Sequence, residues 1–281
     1  MSALCVEYVD SLADTRLDDY RDARDRELLR GRSLFIVEGR ENVRRLIRDS
    51  THEPRSLLLS EPAFAAMSDF LAQFAVDVPV LVGAREVVSR IAGFDLHRGC
   101  LAVVELPPPV TPASLLAAPG ESSLVLVLEA LANPDNVGAV FRNALAFGVD
   151  AVLLCPRCCD PLYRKAIRVS MGAALSVPTA RFTSWPDGLE RLRRAGYRIV
   201  GLHPGADAAP IGTAEWTESV RKLPRMAWVL GTEGAGLSAE TLARCDERHR
   251  IEMVSGCDSL NVATACGIAL QHLFAARAGH D

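Results

Sequence analysis

The sequence has no run of eighteen apolar residues, so we expect no membrane-spanning helix. Its first residues, MSALCVEYVDSLADTRLDDYRDARD, are acidic and contain no apolar core of the kind a signal peptide needs, which favours a cytoplasmic protein. The 281 residues are 49% hydrophobic and 23% charged, which suffices for one large domain or two ordinary ones.

A second pair of closely spaced cysteines is also lacking. Cys155, Cys158 and Cys159 form a C-x-x-C-C group, but none of the other five cysteines belongs to another C-x-x-C. Since a structural zinc site needs two close ligand pairs, we expect no metal and instead interpret these thiols as reduced core and strand-end residues.

The sequence contains neither of the two common glycine-rich motifs that bind nucleotides. The segment V229-L-G-T-E-G-A-G-L-S238 follows a buried strand, but its glycines match neither G-x-G-x-x-G nor a P-loop, which argues against a nucleotide-binding oxidoreductase. Glycines at this place let the backbone approach a ligand closely. Glu233 lies inside the loop and is hard to explain as a surface charge.

A proline-rich segment, residues 106–121, is predicted to link two α/β domains, residues 1–105 and 122–281. The first opens with a charged stretch, interpreted as helical through Arg32, and then alternates strands with helices. The second alternates them more regularly, and its strands are apolar on both faces. That pattern is typical of a parallel sheet covered by helices.

The segment N133-P-D-N-V-G-A-V-F-R-N-A-L-A-F-G148 predicts an amphipathic helix that begins near Asn136. One predicted buried stripe contains Val137, Val140, Phe141, Ala144, Leu145 and Phe147. Arg142 points almost opposite this stripe, so it is available to a ligand or a second subunit. A helix cap at Asn136 and a solvated arginine at 142 are the structural alternatives.

The segment I251-E-M-V-S-G-C-D-S-L-N-V-A-T-A-C-G-I-A-L270 predicts a strand, a turn and a helix that starts near Ser259. Asp258 or Ser259 as a helix cap is the structural alternative to a functional role. Asn261 has a weaker structural explanation.

The charge of the sequence does not decide whether the protein binds nucleic acid. The net charge of −4 argues mildly against nucleic acid, but nine basic and three acidic residues between Arg157 and Arg198 leave an excess of +6 there. Such a stretch could bind phosphate groups of a nucleic acid, but ordinary solvated helix faces explain it equally well.

Together these motifs resemble the SpoU (TrmH-like) family of RNA ribose 2′-O-methyltransferases, within the SPOUT superfamily. Asn136 to Gly148 is similar to its first motif, Leu230 to Ser238 to its second and Ser259 to Ala263 to its third. R-V-S-M-G-A at Arg168 to Ala173 is similar to the helix between motifs. The first 105 residues resemble, more loosely, the ribosomal-protein-L30e-like domain that many members carry.

The resemblance implies a C-terminal SPOUT-type parallel sheet with a trefoil knot, a homodimer, and S-adenosylmethionine (AdoMet) as methyl donor. The implied cofactor-binding residues are Leu230, Gly231, His203, Ile251, Met253 and Leu260. The implied catalytic residues are Arg142, Asn136, Glu233, Ser259 and Asn261. Glu252 stands where the third motif usually has proline, which affects the rigidity of that loop more than the shape of the pocket.

The resemblance favours ribosomal RNA as substrate, because of the extra N-terminal domain. Transfer RNA as substrate and a catalytically inactive RNA-binding protein of the same fold are the alternatives. The intact set of Asn136, Arg142, Glu233 and Asn261 argues against the inactive form.

Overall fold

The computed structural model describes residues 4–21, 25–92, 99–118, 120–232 and 234–278. The chain forms two compact units, and neither is continuous in sequence. The first combines the residues up to Pro108 with Pro161–Ser176, and the second combines Pro109–Asp160 with the residues from Val177 onward. These limits differ from the sequence-based division into 1–105, 106–121 and 122–281.

The first unit contains a mixed five-stranded sheet in the order β1-β4-β3-β5-β2. Its strands are β1 (Val6–Val9), β2 (Leu34–Glu38), β3 (Pro54–Ser60), β4 (Val80–Gly83) and β5 (Cys100–Glu105). Its helices are α1 (Asp25–Glu27), α2 (Arg40–Asp49), α3 (Glu61–Ala65), α4 (Ser68–Gln73), α5 (Arg85–Ala92) and α7 (Arg164–Val169), with a 3-10 turn at Thr15–Tyr20 and a π turn at Leu28–Arg32.

The prediction of a helical opening stretch is wrong at its start, where Val6–Val9 form a strand. This strand pairs in parallel with β4, and Val6 lies opposite Val80. Two β-branched residues and a tyrosine among four residues favour a strand. The partner strand, however, lies more than seventy positions away in the sequence, so the local charge pattern could not reveal the pairing.

Residues 161–176 complete the core of the first unit. Leu162, Ile167 and Leu175 are buried in the same cluster as Phe35 and Val37 of β2. Arg164 pairs with Asp25 at 3.1 Å, and Arg168 lies 3.7 Å from Glu38. The helix that the sequence assigns to the second domain therefore packs on the sheet of the first unit.

The second unit contains a sheet of seven parallel strands in the order β10-β12-β9-β11-β6-β7-β8, which confirms the predicted parallel α/β architecture. Its strands are β6 (Ser123–Leu128), β7 (Ala151–Leu154), β8 (Thr179–Arg181), β9 (Arg198–Leu202), β10 (Ala209–Pro210), β11 (Arg225–Leu230) and β12 (Glu247–Arg250). Its helices are α6 (Pro134–Ala146), α8 (Gly188–Arg194), α9 (Ala214–Arg221), α10 (Ala239–Arg244) and α11 (Val262–Ala278).

Residues 109–121 belong to the second unit and are tied to it by side chains. Pro112–Leu115 form a 3-10 turn. The buried Arg225 donates hydrogen bonds to the carbonyls of Glu121 and Ala118, and the Tyr197 hydroxyl accepts one from the Ala117 amide at 3.2 Å. The proline-rich segment is therefore held against the sheet and does not run as a free linker.

Parallel strands place their carboxyl ends at one edge of the sheet, where α/β proteins bind ligands. The residues that directly follow β6, β9, β11 and β12 are Glu129, His203, Gly231 and Ile251. The trefoil knot and the L30e-like character of the first unit stay predictions. None of the described helices is long and apolar enough to cross a membrane.

Candidate functional site

A cleft lies at the carboxyl edge of the seven-stranded sheet, beyond β9, β11 and β12. It encloses about 770 Å³ of empty space that is open to solvent. All six predicted cofactor-binding residues line it, and so does Ser259 from the predicted catalytic set.

The glycine loop, residues 231–237, forms one wall of the cleft. It folds back on itself through two hydrogen bonds of 3.1 Å between the backbones of Thr232 and Gly236. A Cβ atom on Gly231 would lie 2.2 Å from the carbonyl carbon of Gly236, so a side chain there would collide with the loop itself. Gly234 and Gly236 have φ angles of +94° and +67°, which other residues rarely adopt. Glu233 lies outside the described residues.

Beneath this loop lies Glu129, which the sequence reasoning missed. Its side chain is 2% exposed. The carboxylate accepts hydrogen bonds from Trp185 Nε1 at 2.9 Å, from the Ser238 amide and hydroxyl at 3.1 and 2.7 Å, and from the Thr241 hydroxyl at 3.0 Å. The sequence signal for Glu129 is a single acidic residue in the apolar run LVLVLEAL. A glutamate without a charged partner is rarely buried, so one in such an apolar run indicates a special role.

His203 contributes an unpartnered nitrogen beside the cleft. Its Nδ1 atom is buried and has no hydrogen-bond partner among the described residues. Its Nε2 atom lies 4.0 Å from Asp207 Oδ1, and a Cβ atom on Gly205 would come within 2.6 Å of both side chains. An unpartnered buried nitrogen beside an open cleft can serve a bound ligand.

Motifs one and three meet through a pair of asparagines. Asn261 Nδ2 donates a hydrogen bond of 2.9 Å to Asn136 Oδ1, and Asn136 is only 9% exposed. Asn261 Oδ1 accepts from the amides of Ala263 and Thr264 at 2.9 and 3.3 Å, so it also caps α11. The structure thus gives Asn261 the capping role that the sequence offered to Asp258 or Ser259.

The start of α6 differs from the sequence interpretation in one respect. Asn133, and not Asn136, caps the helix, with its side chain accepting from the Asp135 amide at 2.9 Å. Val137, Val140, Phe141 and Ala144 are buried as predicted. The other two predicted members of the stripe are not: Leu145 is 41% exposed and Phe147 is partly exposed.

Arg142 is exposed on α6, as its helical position predicts. It has no hydrogen-bond or ion-pair partner among the described residues, and it does not line the cleft. Phe147 lies 6.1 Å from Phe274 of α11, ring centre to ring centre, and Phe274 is 56% exposed. Exposed apolar side chains therefore occur on both α6 and α11, in addition to the exposed Arg142.

The basic stretch Arg157–Arg198 is divided between the two units. Three of its basic residues belong to the first unit and six to the second. Acidic residues outside the stretch neutralise part of the excess: Asp25 pairs with Arg164, Asp246 with Arg193 at 3.1 Å, and Glu247 with Arg198 at 2.7 Å. Counting charge along the sequence therefore overstated the local excess.

The C-x-x-C-C group follows β7 at the same edge of the sheet. Cys155 and Cys158 are buried, with their Sγ atoms 3.7 Å apart. The Cys158 thiol lowers the pKa of Cys155 by hydrogen bonding, and the Ala130 amide donates to Cys155 Sγ at 3.0 Å. Over the described part of the chain, no three His, Cys, Asp or Glu side chains are grouped as metal ligands.

Comparison with known proteins gives consistent matches. The sequence model of the SpoU rRNA Methylase family matches residues 123–271. An uncharacterized tRNA/rRNA methyltransferase of Mycobacterium bovis is 39% identical over 271 residues, which cover 95% of this chain and 90% of that protein.

Two solved structures match nearly the whole chain, each with a TM-score of 0.78. An AdoMet-bound rRNA methyltransferase from Sinorhizobium meliloti is 24% identical, with 98% of this chain and 99% of that chain covered. An RNA 2′-O ribose methyltransferase is 25% identical, with 97% and 100% covered.

Proposed function

The chain belongs to the SpoU rRNA methylase family of RNA methyltransferases, and from that premise we propose that it transfers a methyl group from AdoMet to a ribose 2′-hydroxyl of RNA. One observation carries the proposal: the six residues implied in cofactor binding come from three separate segments of the chain, and all line one cleft. The similar structure from Sinorhizobium meliloti is described as AdoMet-bound, which supports the choice of cofactor.

The residues of the cleft fit AdoMet. Leu230, Ile251 and Leu260 present apolar surface to an adenine ring, and the three glycines of the loop present backbone groups without side chains. The unpartnered Nδ1 of His203 is available to a polar group of the ligand. When bound, AdoMet supplies an electrophilic methyl group on its sulfonium sulfur.

Arg142 is proposed to act on the RNA. Its guanidinium stays protonated in proteins, so it cannot be the group that accepts the 2′-hydroxyl proton. Instead it binds the phosphate next to the target ribose and stabilises negative charge that develops on the 2′-oxygen. The Asn136–Asn261 hydrogen bond couples the start of α6 to the third motif and so helps to hold the helix that carries Arg142.

A second copy of the chain is proposed to bring Arg142 to the cleft. Within one chain Arg142 does not line the cleft, and Leu145 on the same helix and Phe274 on α11 are exposed. Exposed large apolar side chains on adjoining helices suit burial against an identical surface in a twofold dimer. The site is therefore proposed to combine the cleft of one subunit with Arg142 of the other.

Complementation between two defective variants tests this arrangement. Arg142→Ala and Gly231→Ala each remove one half of the site, so each variant alone should methylate poorly. Mixed dimers formed by co-expression should regain activity if Arg142 acts across the interface, because one intact site then exists per dimer. Mixed dimers that stay inactive would show that each chain uses its own Arg142.

Ribosomal RNA is the proposed target, in line with the description of the matching family. Purified protein with labelled AdoMet should methylate ribosomal RNA from a deletion strain more rapidly than transfer RNA from the same strain. Alkaline hydrolysis of the product reports the position, because a 2′-O-methylated nucleotide resists cleavage on its 3′ side. A preference for transfer RNA would contradict the proposed target. Methylation of a base would contradict the proposed 2′-O position.

A further inference from the structure

Glu129 is the one carboxylate among the buried polar residues of the described chain. Burying a carboxylate is costly unless its oxygens are hydrogen-bonded or paired with a cation. Among the described residues, no arginine, lysine or histidine contacts it, and its hydrogen bonds come from neutral donors of Trp185, Ser238 and Thr241. These donors lie on two segments that are both distant from β6 in the sequence, so the carboxylate joins three parts of the second unit.

The same residue holds both ends of the glycine loop. Before the loop, the Glu129 amide donates to the Leu230 carbonyl at 2.8 Å. After the loop, the Glu129 carboxylate accepts from the amide and hydroxyl of Ser238. Residues 231–237 supply much of the cleft wall. The chain on both sides of this loop is therefore hydrogen-bonded to Glu129, through its backbone before the loop and through its side chain after it.

A side chain with two acceptor oxygens suits this position. Its two oxygens accept from four donors and offer none. A glutamine of the same shape would turn an amide N–H₂ towards donors, and at least one buried N–H or O–H would lose its acceptor. The glycine loop would then be held at Leu230 but loosened at Ser238.

We infer that Glu129 is a positioning residue that keeps the glycine loop in the form that binds AdoMet. This inference rests on the proposed function, since it assigns the loop to the cofactor. Glu129 does not line the cleft, so it acts through Ser238 and the loop. Removing it should weaken cofactor binding and leave the chemistry of methyl transfer unchanged once the cleft is filled.

The test compares Glu129→Gln with Asp150→Asn in the full-length protein. Asp150 is the control: it is an exposed carboxylate that accepts from the Ser123 hydroxyl at 2.9 Å and the Leu124 amide at 2.7 Å, at the opposite end of β6. Calorimetric titration with AdoMet should show binding weakened roughly tenfold in Glu129→Gln, as expected for one unsatisfied buried donor. Asp150→Asn should bind like wild type.

Steady-state kinetics separates positioning from general damage. Glu129→Gln should raise KM for AdoMet about tenfold while kcat stays within about twofold. Equal loss of kcat in Glu129→Gln and Asp150→Asn would mean that both carboxylates merely support the fold. If Glu129→Gln does not fold, Thr241→Val and Trp185→Phe each remove one donor to the same carboxylate and should raise KM by smaller factors.

Hydrogen exchange on the ligand-free protein tests the loop directly. Amides of residues 231–238 should exchange faster in Glu129→Gln than in wild type, with other residues unchanged. Unchanged exchange there would overturn the inference whatever AdoMet does. If instead the wild-type protein failed to bind AdoMet, the proposed function would fall, while the exchange experiment would still decide whether Glu129 holds the loop.

Discussion

Arg142 and Gly231 are important for opposite reasons. Arg142 is exposed and has no partner among the described residues, so its side chain is not needed for packing. Gly231 needs the absence of a side chain, because the loop that it opens returns to within 2.2 Å of where its Cβ atom would be. Glycine is needed at this position because the backbone of the loop itself, and not a ligand, occupies the space of a side chain.

Replacement of Arg142 by alanine should leave a folded protein that binds AdoMet but methylates RNA about 100-fold more slowly or worse, as is typical when one preorganised electrostatic contact is lost. Single-turnover methyl transfer is the measurement. Arg191→Ala is the control, because Arg191 is also exposed and has no partner among the described residues. Near wild-type turnover in Arg142→Ala would refute the catalytic assignment.

Replacement of Gly231 by alanine should displace the glycine loop and weaken AdoMet binding by roughly tenfold or more, because a contact of 2.2 Å cannot be accommodated without movement. Gly148→Ala is the control: Gly148 has a φ of +65° but no atom within 4 Å of an added Cβ. It should lower stability without changing affinity. Equal affinity in Gly231→Ala and wild type would show that the loop does not contact the cofactor.

Among the elements, α11 is capped by a residue that also contacts α6 and so helps to form the predicted site. Its cap, Asn261, also reaches Asn136 on α6, and Asn143 Nδ2 donates to the Ala263 carbonyl at 2.7 Å. Gly267 lies against the Asn143 amide, where a Cβ atom would come within 3.2 Å. The two helices that carry motifs one and three are therefore held in contact by side-chain amides.

Two substitutions of Asn261 separate these roles. Asn261→Ala should lower the free energy of unfolding by about 1 kcal/mol, the usual cost of a lost cap, and should also lower activity. Asn261→Ser restores the cap but is too short to reach Asn136, so stability should recover while activity stays low. Denaturant unfolding and single-turnover transfer are the measurements. Full recovery of activity in the serine variant would make the asparagine pair dispensable.

His249 of β12 predicts a pH dependence of stability. It is 3% exposed, and burial lowers its pKa below the ordinary 6.5 in spite of the opposing effect of Glu247. The folded state therefore keeps it neutral, accepting from Trp216 Nε1 at 3.1 Å, while the unfolded state takes up a proton as the pH falls below about 6.5. Stability should be constant above that pH and decrease below it.

Urea unfolding at pH 7.5 and pH 5 measures this effect. His249→Phe should be less stable at both pH values but should lose less stability between them than wild type. His272→Gln is the control, since it removes a histidine that is exposed. His52, whose pKa burial also lowers, contributes a decrease of the same sign in all three proteins. An identical decrease in His249→Phe and wild type would exclude His249 as a source.

For the whole molecule, the exchange of segments between the two units limits how the chain can be divided. Residues 161–176 lie within the second half of the sequence but supply Leu162, Ile167 and Leu175 to the core of the first unit. A fragment starting at residue 109 would therefore expose these three side chains to solvent.

Such a fragment should bind the dye ANS and aggregate on size-exclusion chromatography. Replacing residues 161–176 in the same fragment with a flexible Gly/Ser segment should abolish both effects, because the exposed apolar surface is then removed. A fragment 109–281 that is monodisperse and does not bind ANS would show that these residues repack on the second unit.

Much of the site could be predicted from sequence, because its signals are local. Glycines in a loop after a buried strand, a helix with one apolar stripe and an asparagine at a helix start each reflect backbone conformation or side-chain direction over a few residues. The exposure of Arg142 and the place of Gly231 in the cleft follow from such patterns. Glu129 could not be predicted, because its four donors lie 56 or more positions away along the chain.

By itself, the sequence determined the α/β architecture, the direction of the strands in the second unit and the family, since periodicity and short motifs are properties of consecutive residues. Only the tertiary structure decided which unit residues 161–176 complete, which residue caps α11 and what holds the glycine loop. Each of these depends on packing or hydrogen bonds between residues far apart in the chain. The free energy of such contacts is set by burial and geometry, which no local pattern encodes.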